Sequence, residues 1–144
     1  MTLYTIGFTK KSAEQFFGLL RSANVRRLVD TRLNNVSQLA GFAKREDLAY
    51  FLRAICGIPY QHEPRLAPTQ AMLDSYKKAK GAWQDYEREF ISLMREREIE
   101  QQFSAAELEG ACLLCSEATA EHCHRRLVAE YLAERWDGVE IIHL

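Results

Sequence analysis

No apolar run in the chain approaches the ~18–20 residues of a membrane span, so no membrane partner is expected. The opening stretch MTLYTIGFTKK lacks the long apolar core of a secretory signal, which leaves a cytoplasmic protein with reduced thiols as the expectation. The formal net charge is only −1. That balance disfavours a broad nucleic-acid surface, although a local basic pocket remains allowed. There are three prolines, all within 58–69, and no repeat, low-complexity tract or Gly/Ser-rich linker, so 144 residues read as one domain, 1–144. Cysteines number four (Cys56, Cys112, Cys115 and Cys123), too few for a disulfide-dense scaffold. A chain this long buries ~68–70% of its unfolded surface and needs no staple.

What is present is an alternation of short apolar runs with amphipathic stretches. TLYTIGF (2–8) reads as a strand. Ser12 and Gln15 form a capping box opening a helix that ends near Asn24. A second strand is expected over 28–30, then a polar loop over 32–44. An amphipathic helix follows over 45–57, with Gly57 as its C-terminal cap. Residues 58–61 make a weak strand between prolines. Helices over roughly 69–79 and 82–99 come next, the latter with REREIE as a solvated end. ACLLC (111–115) is a strand, 118–136 a helix capped by Thr119, and VEIIHL (139–144) a closing strand. Alternation of this kind predicts an α/β domain. Its mainly parallel sheet is flanked by helices, Rossmann-like or flavodoxin-like, with a helical segment inserted before ACLLC.

In open α/β sheets ligands bind outside the carboxyl ends of the strands. Those ends carry Thr9 after the first strand, Asp30, Arg32 and Asn34 after the second, and Cys115 and Glu117 after ACLLC. His124, Arg125 and Arg126 follow on the next helix, in its second turn if Thr119 caps it. Three chemistries compete for this cluster. Cys112 and Cys115 have C-x2-C spacing, but residues three apart on a strand face opposite sides. They therefore suit neither one zinc ion nor a redox pair, and no metal is expected. Cys112 reads as a small core residue, and Cys123 as mostly structural. Cys115 at the strand end reads as a nucleophile with Glu117 or His124 as acid–base partner. An anion pocket at the helix start explains more residues, with Arg32 and Arg125 as ligands. A crevice arginine such as Arg32 is expected to matter for binding and little for stability. Arg126 is expected to pair with Glu130 across one turn.

The stretches YTIGFT (4–9), LVDTRLNNVSQLAGFAK (28–44), GIPYQHEPRLAP (57–68) and LLCSEATAEHCHRR (113–126) together resemble the DUF488 family, a domain of unknown function. The resemblance implies a compact α/β domain with a shared polar site. Its carried-over positions are Asp30, Arg32, Tyr60, Cys115, Glu117, Cys123, His124 and Arg125. Many members have His where this chain has Phe8, so any role of that His is absent or filled by another group. The family indicates no reaction and no cofactor.

The expectation is an enzyme-like crevice for a small anionic ligand: a nucleotide, nucleobase derivative or sugar phosphate. Cys115, Glu117 and Asp30 are its candidate catalytic residues. Arg32, Tyr60, His124, Arg125, Thr9 and Asn34 are its candidate ligand contacts. Whether catalysis occurs is left open. The competing reading is a non-catalytic nucleic-acid-binding or regulatory module, using the same arginines with Tyr60 and Trp83 for stacking. Oligomeric state is not indicated.

Overall fold

Short runs of aliphatic and β-branched residues form strands with both faces covered. In the computed structural model, which describes residues 1–36 and 40–144, five of them make one parallel sheet. These are β1 (Thr2–Gly7), β2 (Arg27–Asp30), β3 (Tyr60–His62), β4 (Ala111–Cys115) and β5 (Glu140–His143). Their order is β3-β2-β4-β1-β5, and every pairing is parallel. The α/β class is as the alternation predicts. The order, however, is neither the 3-2-1-4-5-6 of a Rossmann sheet nor the 2-1-3-4-5 of a flavodoxin sheet, because β4 enters between β1 and β2.

Two apolar layers sandwich the sheet. On one face α4 (Trp83–Arg97) and α7 (His124–Arg135) contribute Phe90, Met94, Leu127, Val128 and Leu132, packed on Leu3, Val29 and Leu113. On the other, α1 (Ala13–Ser22) and α2 (Arg45–Phe51) set Phe16, Phe17, Leu20 and Leu48 against Ile6, Leu28, Cys112 and Leu114. Strand alternation thus puts Cys112 in the second layer, away from the first.

Local signals place most of the helices. Ser12 and Gln15 close the capping box of α1. The second amphipathic stretch starts as α2 and finishes as a π-helical turn over Leu52–Cys56. Gly57 then stops it in the left-handed region (φ 67°), where a side chain would be strained. The 69–79 stretch behaves similarly, as α3 (Gln70–Leu73) and a π-helical turn over Asp74–Lys78. One expectation holds only in part after α4. REREIE is solvated at Arg95, Glu96 and Glu98, but the helix ends at Arg97: Glu98 turns the chain (φ 51°), and Ile99 is buried at the head of α5 (Ile99–Gln102). A further short helix, α6 (Ala105–Leu108), follows, with its own capping box from Ser104 and Glu107. The stretch 37–39 of the polar loop lies outside the described residues. Among the described residues no helix is long and apolar enough to cross a membrane.

The topology designates one place for a site. After β1 the chain travels to β2, on the far side of β4; after β4 it travels to β5, on the far side of β1. Neighbouring strands whose connections leave in opposite directions open a crevice at their carboxyl ends. Those ends are Gly7 and Cys115, paired across the sheet.

Candidate functional site

The chain leaves β4 at Cys115 and crosses the end of β1 before entering α7. Gly7 makes that crossing possible. A Cβ there would lie 1.6 Å from the Glu117 carbonyl oxygen and 2.9 Å from Arg125 Nη1. The loop is held down by the Thr9 amide donating to Ser116 O (3.0 Å) and by Arg125 Nη1 donating to Glu117 O (2.7 Å). Residues 118–123 are therefore not helical. The expected helix starts later than Thr119: α7 begins at His124, with Cys123 as its N-cap. The correction matters chemically. It moves His124 and Arg125 from the second turn to the first and brings Cys123 back beside Cys115.

Cys115 Sγ lies 3.5 Å from His124 Nδ1. The other ring nitrogen, Nε2, is 2.8 Å from Thr31 O and 3.0 Å from Thr31 Oγ1. A carbonyl only accepts, so Nε2 carries a proton and donates. The Thr31 hydroxyl gives its own proton to Leu114 O (2.7 Å). Nδ1 is thereby reserved for Cys115, in the arrangement that activates a thiol. The Cys115 thiol is held well below its ordinary value, first by the hydrogen bond from Cys123 and then by the cationic His124 and Arg125 nearby, against the opposing effect of burial. Burial pulls the His124 imidazole down, but the Cys115 sulfur and the Thr31 carbonyl outweigh it and hold it up. Burial, and then the neighbouring Cys115, push the Cys123 thiol up, so it stays protonated. Cys115, Cys123 and His124 offer three ligand atoms within 4.8 Å of one another.

A second assembly faces this one from β2. Arg32 binds Asp30 through two parallel bonds, Nε to Oδ1 and Nη2 to Oδ2, each 2.8 Å. Tyr60 donates to Asp30 Oδ2 (2.5 Å), and Asn35 Nδ2 donates to the Tyr60 hydroxyl (2.9 Å). Asp30 is completely buried and Arg32 is 4% exposed. The guanidinium lies over the ring of Phe8, 5.3 Å from its centroid, so the residue found where many relatives have His forms a floor for the arginine. The remaining arginine nitrogen, Nη1, is buried and has no hydrogen-bond partner. An unmade bond on a buried cation is costly.

Arg125 adds a second interior cation. It is 1% exposed and bonded to neutral oxygens, Glu117 O and Thr5 Oγ1. Among the described residues no carboxylate pairs with it. Buried charges require compensation, and the nearest candidate is a thiolate at Cys115, whose proton affinity Arg125 lowers.

Between the two assemblies is a cavity of about 140 Å³. Its polar lining comes from Arg32, Asn34, Cys115, Glu117, Cys123 and His124, and its apolar wall from Tyr76, Trp83 and Tyr86. Lys77 donates to Glu117 Oε1 (2.7 Å), both side chains being about half exposed, so this pair marks the mouth. The expected residues thus divide. Arg32, Asn34, Cys115, Glu117 and His124 share the cavity. Asp30 and Tyr60 stand behind Arg32, and Arg125 stands behind the loop. Thr9 lines a larger open depression, about 810 Å³, beside the start of α1. Trp83, offered for base stacking, stacks instead on Tyr86 and His122. Sequence reasoning missed Lys77 and the position of Cys123, and it gave Thr31, among the polar groups after the second strand, no role. Thr31 sits in the D-T-R run directly after β2, where its hydroxyl was readable as a candidate.

No curated protein and no solved structure matches this chain. Residues 12–132 match the family model for the domain of unknown function DUF488, a span that covers three of the four motif segments, all but YTIGFT, and the chain belongs to that family.

Proposed function

We propose that the protein is a thiol-dependent enzyme acting on a small anionic substrate. The carrying observation is that Arg32, whose Nη1 has no hydrogen-bond partner, and the Cys115–His124 pair line one cavity. Arg32 receives the anionic group; the Cys115 thiolate attacks the electrophilic centre beside it; the His124 imidazolium returns a proton from Nδ1 to the leaving group. Asp30, Tyr60 and Asn35 fix the arginine. Thr31 fixes the imidazole, and Arg125 with Gly7 and Thr9 fixes the loop. Glu117 and Lys77 guard the entrance, with Asn34 on the wall. A volume of about 140 Å³ is below the ~300–1,000 Å³ of sites for drug-sized ligands. It suits a small carboxylate, a phosphate or the phosphorylated end of a sugar, with the rest of any larger ligand outside. No step of this reading uses a metal, although Cys115, Cys123 and His124 form a three-ligand set of the kind an open zinc site takes.

Iodoacetate and iodoacetamide test this directly, being similar in size and reactive group but different in charge. Relative to free cysteine, Cys115 should favour the anionic reagent, with saturable kinetics and protection by inorganic phosphate. The Asp30→Asn/Arg32→Gln double variant should lose that preference. An unsaturable reaction with the preference of a free thiol would defeat the proposal. So would stoichiometric zinc in protein purified without chelators.

A further inference from the structure

The spacing Cys112-x-x-Cys115 offers a redox pair that the sheet forbids. The loop makes a different one. Cys115 and Cys123 both line the cavity, and their sulfurs lie within 4.8 Å of each other. Cys123 is the extended N-cap of α7 (φ −137°, ψ 139°); its carbonyl accepts from the Arg126 amide, and its side chain makes no capping bond. A disulfide requires an S–S separation of about 2.05 Å, an approach that side-chain rotation and a small loop shift supply. We propose that Cys115 and Cys123 form a reversible intramolecular disulfide on reaction of the protein with small hydroperoxides.

The two steps balance within the groups present. The Cys115 thiolate attacks the terminal oxygen of ROOH. The O–O bond breaks, and the departing RO⁻ takes the Nδ1 proton of His124 to leave as ROH. Arg32 lines the same cavity and has an unpartnered Nη1; in this proposal it donates to that oxygen as charge develops on it. Cys115 is then a sulfenic acid and His124 is neutral. Cys123 passes its proton to His124 and attacks the sulfenic sulfur; hydroxide departs with that proton as water. Two thiols have lost two electrons, and the hydroperoxide has gained them. A small dithiol reverses the bond by exchange. An acidic, cavity-facing thiol with a resolving cysteine beside it is the arrangement of a reversible redox site. The inference rests on the Cys115–His124 pair of the proposed function but not on an anionic substrate, so the two readings fail separately.

The test is stoichiometric hydrogen peroxide on the full chain, followed by thiol counting and non-reducing peptide mapping. Free thiols should fall from four to two, with Cys115 linked to Cys123 and with Cys56 and Cys112 still reduced. Dithiothreitol should restore all of them. At neutral pH the reaction should be about tenfold or more faster than that of free cysteine, only a few per cent of which is thiolate. Cys123→Ser should trap a dimedone-reactive sulfenic acid at Cys115. Disulfide mapping on the unaltered chain stands whether or not that variant folds. Overoxidation of Cys115 with Cys123 left as a thiol would overturn the inference, as would a bond between other cysteines or a rate no faster than that of free cysteine. Iodoacetate selectivity could persist through any of those outcomes.

Discussion

Arg32→Ala should be strongly destabilising, contrary to the expectation that a crevice arginine contributes little to the fold. Arg32 supplies two side-chain hydrogen bonds to Asp30, whose carboxylate is wholly inaccessible to water. Removing the guanidinium leaves that charge with one backbone amide and the Tyr60 hydroxyl. Breaking a buried pair by deleting one partner costs about 3–5 kcal/mol. For a chain of this size each ~1 kcal/mol lowers Tm by ~2–4 °C, so the fall should be roughly 6–20 °C. Removing both charges together is different in kind, because no orphaned ion remains. The Asp30→Asn/Arg32→Ala double variant should therefore be more stable than Arg32→Ala alone, by on the order of 2 kcal/mol. Urea unfolding with an unchanged m-value would measure both effects. A loss below about 1 kcal/mol for the single variant, the scale of an exposed pair, would refute the reasoning. It would mean that Asp30 finds water or another donor once the arginine is gone.

Other consequences are equally direct. Because the Cys115 proton affinity is lowered, its alkylation rate should reach a plateau well before the ordinary thiol range near ~8.5, and should fall only at lower pH as the thiolate is protonated. An inflection at or above that range would remove the ion pair from the mechanism. Gly7→Ala must displace the Glu117 carbonyl, only 1.6 Å from the new Cβ; a stability loss of about 1–3 kcal/mol should accompany slowed Cys115 alkylation, and wild-type reactivity would show that the loop path does not matter. Lys77→Met breaks a half-exposed pair and should cost under about 1 kcal/mol in urea unfolding. A larger loss would place the mouth of the cavity in the folding core.

The sequence showed elements wherever a local period or cap decides them. Short continuous apolar runs marked β1, β2 and β4; Ser12 with Gln15 marked α1; Gly57 marked the end of the second helix. Strand alternation also excluded Cys112 from any site shared with Cys115; Cys112 does lie in the apolar layer under α1 and α2, while Cys115 lines the cavity. The start of α7 was not legible, for a definite reason. Residues 118–122 contain no helix breaker, and local propensity favours continuing a helix from Thr119. What prevents it is the grip of Arg125 on Glu117 O and the absence of a side chain at Gly7. Gly7 is far away in sequence, and no window of a few turns contains it. The strand order has the same character, since insertion of β4 between β1 and β2 is a pairing choice that strand patterns do not encode. Both hidden facts bear on one cysteine. Only a sheet with β4 beside β1 puts Cys115 against Gly7, and only a non-helical loop over that glycine returns Cys123 to it. Spacing therefore offered the wrong pair of cysteines, and the pair that meets is created by the path of the loop.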